Sequence, residues 1–569
     1  MLKIKSILVS MLAVAALASC SEDNDIGAGG DGDKNYDVAY VSISMSSPKN
    51  TRTRASGEQD ARPEESAINE LYVITFDKNK VVVKDASATK YVTVLGSGSF
   101  GTNTSGVTTP NTPIRVATDT KYLLVVANPG KKIKKRLDDE ITVTTTFNDI
   151  NAVVTVDTES GKPDNSYLVD EVVHADGCTM INAGFFDDSD PDPANYQWKP
   201  DCLLDVENFI ILASDYKTEA EAQNAAKSKP ATLEIERLAA KLEVMVSASL
   251  KVGPFASDDV SQTNSLGQFE FGNWTIDYYN SLLFPFAEKT TTKSSHSGGF
   301  YKSNFYTVDP NFTAGGGTDY LTGIIKNEVV SREPHADWTA QSATSGANYK
   351  YCIENTMDET YQKFGAATRL VLKGKYAPWL AGDFTLGDDW YRFSNGTNSV
   401  NFKSLSDLKD AYTPAKAKAE ADRTAAEKLL VNACEKFYDQ IKGELTSDPG
   451  SFAALTQAAL DNSNIENGGE LCKVDGCIYW YPKSLNYYYY EIRHDNEADP
   501  YMEYGKYGVV RNNYYTLTLN KVNGNGTPWY PGDGPEDPDE KEDIDKLGAY
   551  LHFELKVAPW IYWTTGFEI

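Results

Sequence analysis

The 569-residue sequence predicts a mainly β protein of more than one domain, with a helical insertion in its second half. Three observations carry that prediction. Period-two alternation of apolar and polar residues recurs along the chain, as in "VAYVSISM" at 38–45. The composition is that of an extracellular β-rich protein, with 34 tyrosines, 41 glycines and only 7 methionines. The chain is also too long for one hydrophobic core. Its formal net charge of −27 leaves no basic stripe to neutralise phosphates, which argues against a nucleic-acid partner.

Taken in order, residues 1–19 read as a signal peptide. Two lysines precede an apolar run from Ile7 to Ala18 that is too short for a stable span. Leu17-Ala18-Ser19-Cys20 matches a bacterial lipobox, so cleavage before Cys20 and acylation of its thiol would anchor the precursor to a membrane. An acidic, Gly-rich tether follows, and then the apolar-faced strand with Ala39, Val41, Ile43 and Met45 on one side. The Ser/Gly/Pro-rich stretch "KNTRTRASGEQDARPEES" at 49–66 comes next. It concentrates Arg52, Arg54 and Arg62 in an otherwise acidic chain.

"INELYVITFD" (68–77) and "KYLLVVANP" (121–129) read as strands, the second apolar on both faces as a central strand is. Between them "GSGSFG" (96–101) has dinucleotide-loop spacing but is followed by Thr, Asn and Pro. No helix can start there to meet a pyrophosphate, so this is a loop. The polar, Ala-rich segment 217–230 is the expected domain boundary. "ATLEIERLAAKLEVMVSASL" (231–250) opens the second domain as β structure with some helical ambiguity. Further strands are expected at 367–378 and 509–522. Residues 404–442 break the alternation with helix formers, Leu430, Cys434, Phe437 and Ile441 forming one stripe. "YWYPKSLNYYYY" (479–490) reads as a strand with aromatic cross-strand pairs. An acidic Pro/Gly linker (526–546) carries a terminal apolar-faced strand (547–569), and Leu551, Phe553, Leu555 and Val557 alternate with His552, Glu554 and Lys556. That strand has no evident partner in its own domain.

Positive signs of catalysis are lacking. The five histidines stand apart from any metalloprotease or triad-like motif, and carboxylates are too abundant for any pair to be singled out. "DDSDPDPAN" (187–195) lacks the glycine and closing glutamate of a calcium loop. No catalytic residue, cofactor or metal ligand is assigned. Among the cysteines, Cys472 and Cys477 frame a hairpin turn and are a candidate disulfide. Cys178 and Cys202 are a second candidate pair, and Cys434 reads as a small apolar side chain of its helix.

A strand that ends in an accessible arginine loop can be lost by one cut. The loss exposes an apolar groove with unpaired backbone groups, which a detached strand from another molecule can fill. The contact does not close on itself, so repetition makes a filament. Several segments fit that device: the lipobox, "RASGEQD", "ERLAAKLEV" (Glu236, Arg237, Ala240, Lys241), "CIENT", "TRLVLKGKY", "VVRNNYYTLTLNKV" and "LKVAPW". In their order and spacing they resemble the shaft subunits of Bacteroidota type V pili, the fimbrillin superfamily that includes the minor-fimbrium subunits of Porphyromonas. The resemblance implies two tandem transthyretin-like β-sandwich domains, at 55–229 and 230–525, with the helical insert in the second. It implies a lipid-anchored precursor at the outer membrane and a trypsin-like processing protease. The favoured cut is between Arg54 and Ala55, with Arg52 as second choice, because Pro63 disfavours cutting after Arg62. The removed piece, within 20–54, carries Val41, Ile43 and Met45. The donor strand centres on Leu551, Phe553, Leu555, Val557 and Trp560. The partners implied are further copies of the chain, joined head to tail, with tip and anchor subunits of the same pilus. Competing readings are a tip or anchor subunit, a tail that completes its own domain, and a surface glycan-binding lipoprotein using the 479–490 aromatics.

Overall fold

The computed structural model describes residues 38–46, 59–155, 171–463, 476–494, 506–531 and 551–561, less internal stretches of which 287–307 is the longest. The N-terminal run forms two short strands, β1 (Val38–Val41) and β2 (Ile43–Ser46). The chain reappears as β3 (Gln59–Asp60), a single helical turn α1 (Pro63–Ser66) and β4 (Glu70–Phe76). Then come β5 (Ile114–Ala117), β6 (Tyr122–Ala127), β7 (Met180–Asn182), helix α2 (Glu219–Ser228) and β8 (Ala231–Arg237).

These elements make a nine-stranded sheet in which β4, β6, β7, β8 and β2 are successive neighbours, with Val107–Thr108 beyond β2. β6 is buried almost throughout, as expected of a strand covered on both faces. A three-stranded sheet sets β1 between Ile211–Leu212 and β5. One large apolar core lies between and around these sheets, with Leu71, Leu124, Val126, Ile181 and Ile235 among its members.

The second half begins with β9 (Ala239–Val252) and β10 (Gly267–Asp277), followed by β11 (Tyr349–Ile353) and β12 (Arg369–Pro378). β13 (Trp390–Ser394), helices α3 (Leu405–Ala417) and α4 (Ala425–Ile441), and β14 (Ile478–Tyr481) form the insertion and its seat. β15 (Leu485–Glu491), β16 (Asn513–Val522) and β17 (Leu551–Ile561) complete the chain. A five-stranded sheet of order β11-β9-β16-β17-β3 and a four-stranded sheet containing β10-β12-β15 share a core of Leu242, Val244, Trp274, Ile276, Leu370 and Leu517. The helical insert packs Val431, Cys434, Phe437 and Ile441 on Tyr391 and Trp480, while Leu430 is only half-buried. The fold is therefore mainly β, with helices packed against the sheets.

Three expectations change. The run 231–250 is strand throughout, but it switches sheets at Leu238: β8 pairs with β7 and β2 of the first half, and β9 starts the second. The change of sheet thus falls after residue 237 rather than at 230, since seven residues of the run complete the first sheet. The acidic linker starts later than residue 526, because Trp529 and Tyr530 are buried core residues. Lastly, the terminal strand does have a partner in its own half, β16, along nearly its whole length.

Candidate assembly site: the N-terminal strand, the strap and the C-terminal strand

The N-terminal strand is an inside strand of both sheets that it visits. Ala39, Val41, Ile43 and Met45 point into the main core, while Val38 and Tyr40 face Ala222 and Ala226 of α2. The switch comes at Ser42, whose carbonyl accepts from Ala231 N at 2.8 Å. β1 runs antiparallel to β5 with Ala39 opposite Val116, and β2 runs parallel to β8 with Met45 opposite Leu233. Both flanks are hydrogen-bonded, so removing the strand would leave two rows of unsatisfied groups bordering an apolar slot. Val38, Val41, Ile43 and Met45 are fully buried. At about 1.5–3 kcal/mol each they contribute roughly 6–12 kcal/mol, comparable with the whole net stability of a typical domain. A domain deprived of this strand needs a replacement.

Residues 59–66 cross from the edge of the five-stranded sheet to its far strands. Proline at the first position of α1 suits its fixed φ. Glu65 accepts from Arg62 N at 2.7 Å, closing the turn. The Glu65 side chain then enters the second half: Oε1 lies 2.7 Å from Lys241 Nζ, both groups almost fully buried, and accepts from the Tyr351 hydroxyl. Arg237 donates from Nε to Glu65 O at 2.9 Å and from Nη2 to Ser66 Oγ at 3.0 Å. The Lys241 ammonium lies over the rings of Tyr349 (4.1 Å) and Tyr514 (4.9 Å), and the Arg62 guanidinium stacks 4.3 Å from Tyr349. Burial by itself would raise the Glu65 carboxyl, but the Lys241 charge and the hydrogen bonds from Lys241, Tyr351 and Arg62 N–H hold it below the usual carboxylate range. Burial pulls the Lys241 ammonium downward despite Glu65. Each charge is the other's main compensation for burial.

The C-terminal strand has a rooted start. Trp529 is buried edge-on against Tyr479 at 5.1 Å, and Tyr530 packs on Tyr487. Arg369 donates from Nη2 to the Pro531 carbonyl at 2.5 Å while pairing with Asp277 through Nε (3.0 Å) and Nη2 (2.6 Å), both side chains wholly buried. From there the chain returns as β17, antiparallel to β16, with Leu551 opposite Val522, Phe553 opposite Leu519, Leu555 opposite Leu517 and Val557 opposite Tyr515. Leu551 is buried. On its outer edge β17 pairs parallel with β3, Gln59 opposite Trp560 and Asp60 opposite Ile561.

Of the other residues singled out in the sequence, Cys20, Arg52, Arg54, Ala55 and Cys472 lie outside the described residues. Cys477 is a buried free thiol. Cys178 and Cys202 are both buried in the core of the first half and are not joined as a disulfide. Burial pushes the Cys178 thiol up to about 12. The aromatic run forms two strands, not one, broken by Lys483 and Ser484 at positive φ. Most of its rings are buried in the core, Tyr481 stacking flat on Trp390 at 3.8 Å, while Tyr489 and Tyr490 are half-buried. "GSGSFG" holds only a three-residue 3-10 turn at Ser97–Ser99. Most of 187–195 is outside the described residues. Sequence reading missed Glu65, Tyr351, Arg369 and Asp277. The one available signal was the capping pattern "RPEES", and nothing local in it tells which cation Glu65 meets.

Two family models match the chain. Major fimbrial subunit protein (FimA) matches residues 39–191, a span that starts in β1. Major fimbrial subunit protein type IV, Fimbrillin, C-terminal, matches 479–565, which includes β15, β16 and β17. No curated protein matches in sequence. Solved structures similar to the chain include a candidate cell adhesion protein of Parabacteroides distasonis (11% identity, 92% of this chain and 99% of that chain, TM-score 0.35). A fimbrial assembly protein of the same species matches at 14% identity over 59% of this chain and 96% of that chain, with a TM-score of 0.23. The tip fimbrial protein Mfa3 of Porphyromonas gingivalis, truncated at its C-terminus, matches at 9% identity over 92% of this chain and all of that chain, with a TM-score of 0.28. The two family matches fall on most of the first half, from the N-terminal strand onward, and on the C-terminal strand with its sheet, and over these two spans the chain is similar to major fimbrial subunit proteins.

Proposed function

We propose that the chain is a shaft subunit of a surface fimbrium, polymerised by strand exchange after proteolysis. The precursor is exported and acylated on Cys20. A trypsin-like protease cuts after Arg54, with Arg52 as second site, and frees the segment carrying Val41, Ile43 and Met45. The slot left between β5 and Ile211–Leu212, and between β8 and Val107–Thr108, then receives the terminal strand of the next copy. The observation that carries this reading is the position of β1 and β2: one continuous run, inside two sheets, with roughly 6–12 kcal/mol of apolar burial at stake. A strand so placed cannot be lost without replacement, and the terminal strand is the part of the chain suited to replace it. Its root is fixed at Pro531, and the 19 residues between Pro531 and Leu551 span up to about 60 Å when extended. That exceeds the ~40 Å width of a 200-residue domain. Donation would add continuous main-chain pairing, and three or four buried side chains among Leu551, Phe553, Leu555, Val557 and Trp560 would add roughly 5–12 kcal/mol before ordering costs.

A second reading, a tip or anchor subunit that keeps its tail, is favoured by the pairing of β17 with β16 inside one chain. Limited trypsin treatment of residues 21–569, beside a chain ending at 546, separates the two. Cutting at Arg54 followed by SDS-resistant ladders and fibres, only when the tail is present, is the shaft outcome. Cutting at Arg54 with the chain still monomeric and the tail protected rejects it.

A further inference from the structure

The five-stranded sheet holds the terminal strand from both sides, and the outer side belongs to the segment that begins just after the arginine loop. β17 is bordered by β16 on one edge and by Gln59–Asp60 on the other. From Asp60 the chain runs through buried Ala61 to Arg62, which stacks on Tyr349, and to Glu65, which is clamped by Lys241 and Tyr351. Tyr349 and Tyr351 stand on β11 and Lys241 on β9, so residues 59–66 traverse the sheet from one edge strand to the other. Arg237, at the junction where β8 gives way to β9, grips the strap's backbone at Glu65 and its Ser66 hydroxyl.

We propose that residues 59–66 are a strap that keeps the terminal strand seated on its own sheet, and that processing at the arginine loop releases it. Two contacts of unequal strength make the device. At Glu65 the strap is fixed by a buried ion pair and several hydrogen bonds, so it stays in place through the cut. At Gln59–Asp60 it holds β17 by a two-residue parallel pairing, weak alone and dependent on the chain being held at both ends of the strap. In the uncut chain the second end is β2, fixed in the first sheet thirteen residues before Gln59. A cut after Arg54 leaves Gln59 as the fifth residue of a chain with a free terminus, where strands fray. The outer edge of β17 then opens, and the tail exchanges from β16 alone. One proteolytic event thereby opens the acceptor slot and frees the donor strand, which keeps uncut subunits monomeric during export. This inference rests on the donor role proposed above.

Hydrogen–deuterium exchange of the β17 amides, read by mass spectrometry on the 21–569 chain, tests it. The uncut chain is compared with the chain cut after Arg54, kept dilute enough to stay monomeric. Two uncut variants accompany it: a Gln59→Pro, Asp60→Pro double, which removes both strap N–H groups, and Glu65→Gln, which loosens the anchor. Exchange across 551–561 at least tenfold faster in the cut chain and in the proline double, with β9 amides unchanged, is the expected result, and Glu65→Gln should fall between. Equal protection of 551–561 in the uncut chain, the cut chain and the proline double overturns the strap. Fibre formation by the cut chain is scored separately. Fibres with no change in tail exchange would leave the donor reading standing without the strap. Faster exchange without fibres would leave the strap and remove the donor role.

Discussion

Glu65 and Lys241 allow the contact between the strap and the second half to be weighed in isolation. Both are nearly inaccessible to solvent and meet at 2.7 Å. Removing one partner from a buried ion pair costs about 3–5 kcal/mol, because the surviving charge is left in a poor solvent. The two deletions are not equivalent. With Glu65→Gln, the Lys241 cation keeps the rings of Tyr349 and Tyr514, whose attraction is on the order of 1–2 kcal/mol. This variant belongs at the low end, about 3 kcal/mol. With Lys241→Met, the carboxylate keeps the Tyr351 hydroxyl and the Arg62 N–H, but the largest stabilising influence on its charge is gone. That variant belongs nearer about 5 kcal/mol. A Glu65→Leu, Lys241→Met double removes both charges together and should lie within about 1 kcal/mol of the parent, as apolar replacements of buried pairs do. Urea unfolding of residues 21–569, followed by tryptophan fluorescence with each transition fitted separately, supplies the cycle. Single variants that each move the midpoint by less than about 0.5 kcal/mol, or a double that costs the sum of the singles, would refute the reasoning. Such a result would mean that the strap detaches locally at little cost.

Other outcomes follow from the same packing. The folded Glu65 carboxyl titrates below its ordinary value, so the stabilisation from its charge is complete above the ordinary carboxylate range. It is lost as pH falls through the lowered value, and pH titration of the unfolding midpoint should show a fall below about pH 4.5 that is smaller in Glu65→Gln. Arg369→Met strands the wholly buried Asp277 carboxylate and frees the Pro531 carbonyl. It should lower stability by about 3–5 kcal/mol, against under about 1 kcal/mol for Lys375→Met at the exposed Lys375–Glu270 pair, both read by urea unfolding. Ile43→Ala should cost about 2–5 kcal/mol in the uncut chain and nothing in the chain that has lost this segment. Cys178, Cys202, Cys352, Cys434 and Cys477 should resist an aromatic disulfide reagent in the native 21–569 chain and react in denaturant.

Local pattern carried the reading where neighbours in sequence decide the structure. Alternation at 38–45, 68–77, 121–129 and 509–522 became strand, and helix formers between 404 and 442 became α3 and α4. Partners distant in sequence were not legible. Nothing in "LHFELKVAP" announces that β16, 29 residues upstream of its first residue, offers an edge of matching register. The change of sheet at Leu238 is hidden for a similar reason, since β8 and β9 read as one continuous alternating run. Trp529 and Tyr530 were absorbed into the linker because the glycines, prolines and acids around them dominate the composition. Arg237 and Lys241 were visible as part of a recurring motif, but their chemistry depends on Glu65, 172 and 176 residues away.

The central claim is that the slot of β1 and β2 accepts the terminal strand of another copy. The most direct measurement mixes a chain ending at 546, cut after Arg54 and freed of its N-terminal segment, with a synthetic peptide of residues 547–569. Capture at one peptide per chain, surviving SDS without heating and absent from the uncut chain, is the result the account predicts. Binding that is equal in cut and uncut chains would place the peptide on the vacated β16 edge instead. That outcome, or no binding at all, would contradict strand exchange through the N-terminal slot.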